Sequence, residues 1–295
     1  MSVHYQPVEC KSFLHHFNKK FLPFKWGANP YRGCEHSCPY CFARYTHEYL
    51  GYDSGTEFDN KILVKVNAAD VLEKELSRPR WKREAVNLGS VCDPYQPAEQ
   101  NFKITRQVLE VFAKHKNPLF VGTKSNLILR DLDILLDMAK HTALIVYITI
   151  TTLDDNIRSK IEPRAASTEE RLDVVKRLSD VGVTVGVLSM PIFPYLTDGR
   201  DSINGVVKAV SDAGAKDMVP GVLDLRASCR NCVLSLIEEE FPDLLPKYLA
   251  LYKTAYAPKD YTGKIYRAVE IARRSCGFKK FEMPVLTEKQ TTLEV

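Results

Sequence analysis

From about residue 60 onward, short apolar runs alternate with amphipathic stretches, and this alternation constrains the fold more than any other feature of the 295-residue chain. The apolar runs cover 62–66, 86–91, 119–123, 144–149, 183–189 and 218–223. Each is nearly continuous in apolar residues, as strands are when both faces of a parallel sheet are covered. Stretches near 69–77, 101–115, 131–140, 168–180 and 202–213 have the length and spacing of connecting helices. Asp131 is placed to cap one of them. Ser167, with Glu170 three residues on, forms a capping-box pattern. Gly182 and Gly214 stand where helices should stop. Five or six βα units in succession predict an α/β fold, a partial (β/α)6 barrel, with 233–276 helical and covering one end. In such a barrel chemistry gathers at the C-terminal ends of the strands. The expected division is an N-terminal extension over 1–27, the barrel over 28–228 and a helical extension over 229–295.

A hydrophobic content of 45% supports a sizeable core, and a net charge of +4 permits an anionic partner without requiring one. No apolar run approaches the roughly 18 residues that would span a membrane. Residues 1–20 lack the apolar centre of an export signal, so a cytoplasmic location is expected. In that setting the eight cysteines, at 10, 34, 38, 41, 92, 229, 232 and 276, read as metal ligands or reactive thiols rather than disulfides.

The chemistry centres on Asn29-Pro-Tyr-Arg-Gly-Cys34-Glu-His-Ser-Cys38-Pro-Tyr-Cys41-Phe. The C-x3-C-x2-C spacing lets Cys34, Cys38 and Cys41 each bind one iron of a 4Fe–4S cubane. A structural cluster would have a fourth cysteine close by, and none follows. One iron is left open, and S-adenosylmethionine (SAM) can chelate it through its amino and carboxylate groups. The competing reading is a zinc site with His36 or His47 as fourth ligand.

The segment 29–42 resembles the radical SAM superfamily, in particular its DNA repair photolyase-like members related to spore photoproduct lyase. Cys92-Asp-Pro-Tyr-Gln-Pro-Ala-Glu99, Thr123-Lys-Ser-Asn-Leu-Ile-Leu-Arg-Asp131, Glu162-Pro163 with Ser167 and Arg171, and Gly186-Val-Leu-Ser-Met-Pro-Ile-Phe-Pro194 extend the likeness over roughly 30–220. The resemblance implies a TIM-like partial barrel of radical SAM type and reductive SAM cleavage to a 5′-deoxyadenosyl radical that abstracts hydrogen from an organic substrate. It implies an electron donor such as flavodoxin or ferredoxin, and it makes nucleic acid one candidate substrate. It also assigns roles. Lys124 matches a lysine on the SAM carboxylate, Tyr40 an aromatic beside the adenine, Thr149 a hydroxyl that reaches SAM, and Met190 a backbone position near the adenine. Asp93 is tilted toward orienting SAM or substrate. Cys92 falls where the lyase has a SAM-contacting serine, and Ser90 where it has its hydrogen-donating cysteine. Two residues apart on a strand share a face, so Cys92 is read as a displaced hydrogen donor. Because Ser90 is not a cysteine, thymine-dimer reversal is not expected.

Three features remain. Cys229-Arg-Asn-Cys232, with Cys10 and Cys276, is a candidate auxiliary metal site or redox pair. Arg78-Pro-Arg80-Trp81-Lys82-Arg83 could stack on a base, against the blander reading of a solvated loop. Arg273-Arg274 and Lys279-Lys280 suit a helix end. The function class opposed to a SAM enzyme is a metal protein, Fe–S or zinc, that binds nucleic acid. Within the enzyme reading, a peptide or small metabolite competes with DNA as substrate.

Overall fold

Among the described residues ten strands organise the fold: β1 His4–Val8, β2 Leu14–His16, β3 Trp26–Ala28, β4 Tyr31–Arg32, β5 Lys61–Lys65, β6 Val86–Leu88, β7 Leu119–Thr123, β8 Leu144–Thr149, β9 Thr184–Ile192 and β10 Asp217–Val222. The structure, a computed structural model, describes residues 2–18 and 22–281. The end of the expected C-terminal extension, 282–295, lies outside the described residues.

The main sheet runs β10-β9-β8-β7-β6-β3-β2. Its strands from β10 to β3 are parallel, and β2 closes the edge antiparallel. This is the expected six-stranded parallel α/β sheet, open between β10 and β2. One strand assignment changes. The run at 62–66 is not part of this sheet; it is β5, the middle of a separate sheet of order β1-β5-β4. The first parallel strand is instead Trp26–Ala28, three residues that include a glycine, too short to show in an apolar pattern.

Helices cover the sheet with their apolar stripes, among them Ile104, Val108, Leu109 and Phe112 of helix Ile104–Lys114 and Val174, Val175 and Leu178 of helix Thr168–Asp180. Each fully buried side chain of this size contributes about 1.5–3 kcal/mol. Ser167 and Glu170 complete the capping box, and Gly182 and Gly214 adopt φ of +88° and +93°. Other expectations are corrected. Asp131 makes no cap bond to helix Leu132–His141; its carboxylate instead accepts from Arg106 and Arg130. The helix expected over 101–115 breaks at Lys103, whose φ is +52°. Strand β6 stops at Leu88 rather than 91, because Gly89 turns with φ +91° and a Cβ there would lie 2.6 Å from Pro94 Cδ.

Three helices, Ala227–Glu240, Leu245–Leu251 and Lys259–Ser275, form the C-terminal layer. Tyr248 donates to the Pro194 carbonyl at 2.9 Å and Tyr252 to that of Leu223 at 2.7 Å, tying this layer to the loops after β9 and β10. Arg273 reaches Asp217, while Arg78 and Arg80 are solvated and Trp81 turns inward to Asn117, 2.7 Å away. The basic stretch is thus a loop without a free stacking ring. Among the described residues no helix is long and apolar enough to cross a membrane.

Gly186 of β9 lies under the Tyr147 ring, whose hydroxyl donates to Asp217 at 3.0 Å. Added bulk there must push the ring aside. Gly186→Ala is expected to cost about 2 kcal/mol; thermal or urea unfolding of the variant checks it.

Candidate active site

Cys34, Cys38 and Cys41 occupy the loop between β4 and the turn Phe42–Arg44, and all three thiols are free. The loop makes little regular structure, so other elements hold it. Gly33 has φ +86°, and a Cβ on it would meet the carbonyls of Phe58 and Lys61 at 2.9 Å. Gln96 accepts from the Glu35 amide and donates to the Gly33 carbonyl. The Glu35 carboxylate accepts from the Ala98 amide and the Tyr5 hydroxyl. The Arg44 guanidinium donates to the Cys38 carbonyl at 3.0 Å and pairs with Asp59 at 2.9 Å.

The two histidines of the zinc reading are engaged elsewhere. His36 is buried, with Nε2 3.1 Å from Asp93 and Nδ1 3.2 Å from the Arg164 carbonyl. His47 directs Nε2 to the Lys61 carbonyl at 2.9 Å. Among the described residues no three His, Cys, Asp or Glu side chains gather to hold a single ion. Three free thiols at this spacing on one loop suit a multi-iron cluster, in which each binds a different iron. Burial raises all three thiol pKa values, that of Cys38 to about 12. Iron uptake therefore has to displace thiol protons.

Beside the loop lies a half-buried charged group. Lys124, just after β7, holds its ammonium 5.8 Å from the Tyr40 ring. Among the described residues that ammonium has no carboxylate within ion-pair distance. Burial opposes its charge, but Cys38, Glu162, Asp93 and Cys41 outweigh burial and raise its pKa. The Tyr40 hydroxyl donates to Glu162, and its ring packs edge-on to Phe193. Arg171 forms an ion pair with Glu162, both fully buried, and donates to the Thr149 carbonyl at 2.9 Å. Thr149 ends β8, buried; Met190 lies partly buried near the end of β9. Tyr40, Asp93, Lys124 and Thr149 thus come together at the C-terminal ends of the strands.

Asp93 is a hub. Its carboxylate accepts from Thr123 Oγ1, the Lys124 amide and the Tyr95 amide, and faces His36. Burial raises its pKa, but His36, Lys124 and Thr123 overcome this and hold it at about 2.

Ser90 and Cys92 lie beyond the end of β6, so the shared-face argument from a continuous strand does not hold. Asn29 joins them instead: its side chain bonds Ser90 Oγ and the Val91 amide, and the Cys92 thiol points to Asn29 Oδ1 at 3.8 Å. Cys92 is buried, and burial lifts its pKa to about 12.

Cys229 and Cys232 begin helix Ala227–Glu240, which packs on the cluster loop through Ser228 Oγ and the Phe42 carbonyl, 3.1 Å apart. Cys10 lies instead beside Asn67, and Cys276 beside Ser211, so the four cysteines are not brought together.

The family model of the radical SAM superfamily matches residues 28–203. The chain belongs to the radical SAM superfamily. An uncharacterised protein of Mycobacterium tuberculosis is 34% identical over 261 residues, covering 88% of this chain and 77% of the relative. An uncharacterised Methanocaldococcus jannaschii protein is 32% identical over 174 residues, 59% of this chain and 62% of the relative. One from the Acidianus two-tailed virus is 28% identical over 228 residues, 75% and 74% of the two chains. In fold this radical SAM protein matches spore photoproduct lyase bound to AdoMet and dinucleoside spore photoproduct. The TM-score is 0.66 at 12% identity, over 92% of this chain and 78% of the lyase.

Sequence reasoning missed the Glu162–Arg171 pair as a unit. Its signal was present: Arg171 falls on the buried stripe of its helix with Thr168, Val174, Val175 and Leu178. Asn29 and Arg44 were quoted or passed over without a role.

The depressed Asp93 pKa gives a pH test. Its folded value of about 2 lies below the roughly 3.9 of an unfolded aspartate. The stability it contributes is therefore present above about pH 4 and lost as pH falls toward 2, about 2 kcal/mol in all. Denaturant unfolding of wild type should weaken over that window, and Asp93→Asn should flatten that part of the profile.

Proposed function

We propose that this radical SAM enzyme reductively cleaves SAM and abstracts a hydrogen atom from an organic substrate. The observation that carries the reading is the Lys124 ammonium, without an ion-pair partner among the described residues, beside a loop of three free cysteines. Cys34, Cys38 and Cys41 would hold the cluster. When bound, the cluster supplies one electron to SAM and thereby the 5′-deoxyadenosyl radical.

The remaining work falls to the chain. Lys124 offers a positive donor for the SAM carboxylate, an anion it can pair directly. Tyr40 presents a ring edge whose orientation is set at its hydroxyl by Glu162 and, behind that, by Arg171. Asp93 holds the start of the Lys124 loop by accepting its amide. Ser90 and Thr149 are taken as further SAM contacts, and Met190 as a backbone contact to the adenine. The spore photoproduct lyase structure of the same fold has AdoMet bound, which supports SAM binding as the use of this fold here. A flavodoxin or ferredoxin is the fitting one-electron donor.

Cys92 is proposed as hydrogen-atom donor to a carbon radical. A donor of this kind must keep its S–H hydrogen, and a thiol with a pKa near 12 does so throughout the neutral range. With a serine at 90, the reaction is not expected to be thymine-dimer reversal.

Anaerobically reconstituted protein should carry about four irons per chain and form 5′-deoxyadenosine with dithionite and SAM. Cys38→Ala should lose the cluster, and a colourless, iron-free wild type would end the radical reading. Lys124→Ala should keep its iron while binding SAM about tenfold or more weakly; unchanged SAM affinity removes Lys124 from the site. Cys92→Ala should still form 5′-deoxyadenosine but divert or lose product, and a normal product yield rules out the donor role.

A further inference from the structure

Buried or half-buried arginines here have partners: Arg44 pairs with Asp59, Arg130 with Glu99 and Arg171 with Glu162. Arg32 and Lys65 do not follow this pattern. Both are only partly exposed. Among the described residues neither side chain has a hydrogen bond, or a carboxylate within ion-pair distance. Strands β4 and β5 are antiparallel, with Arg32 opposite Leu63. Cross-strand partners share a face, as do residues two apart on one strand. Arg32, Leu63 and Lys65 therefore project from one face, while Tyr31, Ile62 and Val64 fill the other, fully buried. Leu63 is buried too, so the cations sit in a recess rather than on open surface.

The recess adjoins Cys92. The Arg32–Gly33 segment leads directly into Cys34, and Cys92 lies against the Tyr31 amide and within electrostatic range of Lys65. The Lys65 ammonium stands 5.5 Å from the Phe13 ring. His15, also within range of Lys65, approaches Ser90 Oγ at 3.5 Å on the same side. The nearby carboxylate of Glu75 is already committed to Ser12 Oγ and the amides of Phe13 and Leu14. Burial, against the opposing pull of Cys92 and Cys10, presses the Lys65 ammonium below the ordinary lysine range. Two like charges on one face, with no ion-pair partner among the described residues, are stabilised by a bound anion.

We propose that Arg32 and Lys65 form the receptor for a phosphate group of the substrate, beside Cys92. A carboxylate would be satisfied by the guanidinium fork alone. A phosphate has further oxygens for an ammonium arriving from a second direction. The inference rests on the radical SAM reading for the role of substrate, and it narrows that substrate to phosphate monoesters or diesters.

The test is calorimetric titration of cluster-loaded protein with inorganic phosphate, thymidine 5′-monophosphate, thymidylyl-thymidine and its uncharged methylphosphonate analogue. The monoester or the diester should bind, with the uncharged analogue at least about tenfold weaker than the diester if the diester is preferred. Preference for the monoester marks a small phosphorylated metabolite, and preference for the diester a nucleic acid. Lys65→Met and Arg32→Gln should each weaken binding about tenfold or more, and Lys65→Arg should restore most of it. Should Arg32→Gln fail to retain iron, Lys65→Met decides. Wild-type affinity in Lys65→Met, or no binding of any phosphate probe to the wild type, overturns the proposal. The yield of 5′-deoxyadenosine from wild type without probes reports the radical reading separately. Cleavage without phosphate binding defeats this inference alone, whereas phosphate binding without cleavage leaves an anion site and defeats the radical reading.

Discussion

Three thiols have to be presented together from a loop too short to build regular structure of its own, and the surrounding fold answers to that constraint. A backbone that cannot satisfy its polar groups internally needs partners from elsewhere. Here they come from distant parts of the chain: Gln96 and Ala98 after β6, Phe58 before β5, Tyr5 from β1, Asp93 through His36, and Arg44 from the turn that follows. Several of these partners are charged and buried. Moving one would strand another in a low-dielectric interior, which is costly. The loop is therefore held by the fold around it, and the small β1-β5-β4 sheet is part of its mounting.

The electrostatics follow from the same arrangement. Three cysteines that must become thiolates, together with Glu162 and Asp93, concentrate negative charge at the strand ends. Burial penalises that charge, as the raised thiol pKa values show. Lys124, Arg171 and Arg44 offset it, each placed differently. Arg171 and Arg44 are spent on protein partners and serve rigidity. Among the described residues the Lys124 ammonium has no ion-pair partner, as its proposed role toward the SAM carboxylate requires. Catalysis of this type depends on orienting a reactive cofactor rather than on acid–base steps by the protein. The Tyr40–Glu162–Arg171 chain locks the Tyr40 side chain from behind, the rigidity its proposed place beside SAM calls for.

Much of this was legible in the sequence, for reasons that differ by residue. The strands from β7 to β10 are apolar runs separated by helices, so pattern and structure agree, down to the Ser167–Glu170 box and the left-handed Gly182 and Gly214. The cysteine spacing is local and could be read directly. What escaped was short or non-local. Strand β3 has only three residues, and a neighbouring strand rather than its own composition makes it one. The run 62–66 has the same apolar character as a barrel strand, and composition alone does not say which sheet it joins. Asp131 looked like a cap because its position was right, but two arginines from other segments compete for its carboxylate and win. The Glu162–Arg171 pair could have been suspected from an arginine on an apolar helical stripe, yet its partner is not visible until the loops close.

The two sides of the main sheet frame the site differently. Toward β8 and β9 it is bounded by Tyr40, Phe193 and the buried Glu162–Arg171 pair. Toward β3 and β6 the strands are short and end early, at Ala28 and Leu88. Just beyond those ends Asn29 gathers Ser90, the Val91 amide and Cys92 by hydrogen bonds. The long strands are the rigid side, because their buried apolar residues pack against those of the covering helices, such as Val174, Val175 and Leu178. At the short-stranded edge β2 runs antiparallel, and among the described residues no further parallel strand continues the sheet, so side-chain hydrogen bonds rather than strand pairing hold that side of the site together.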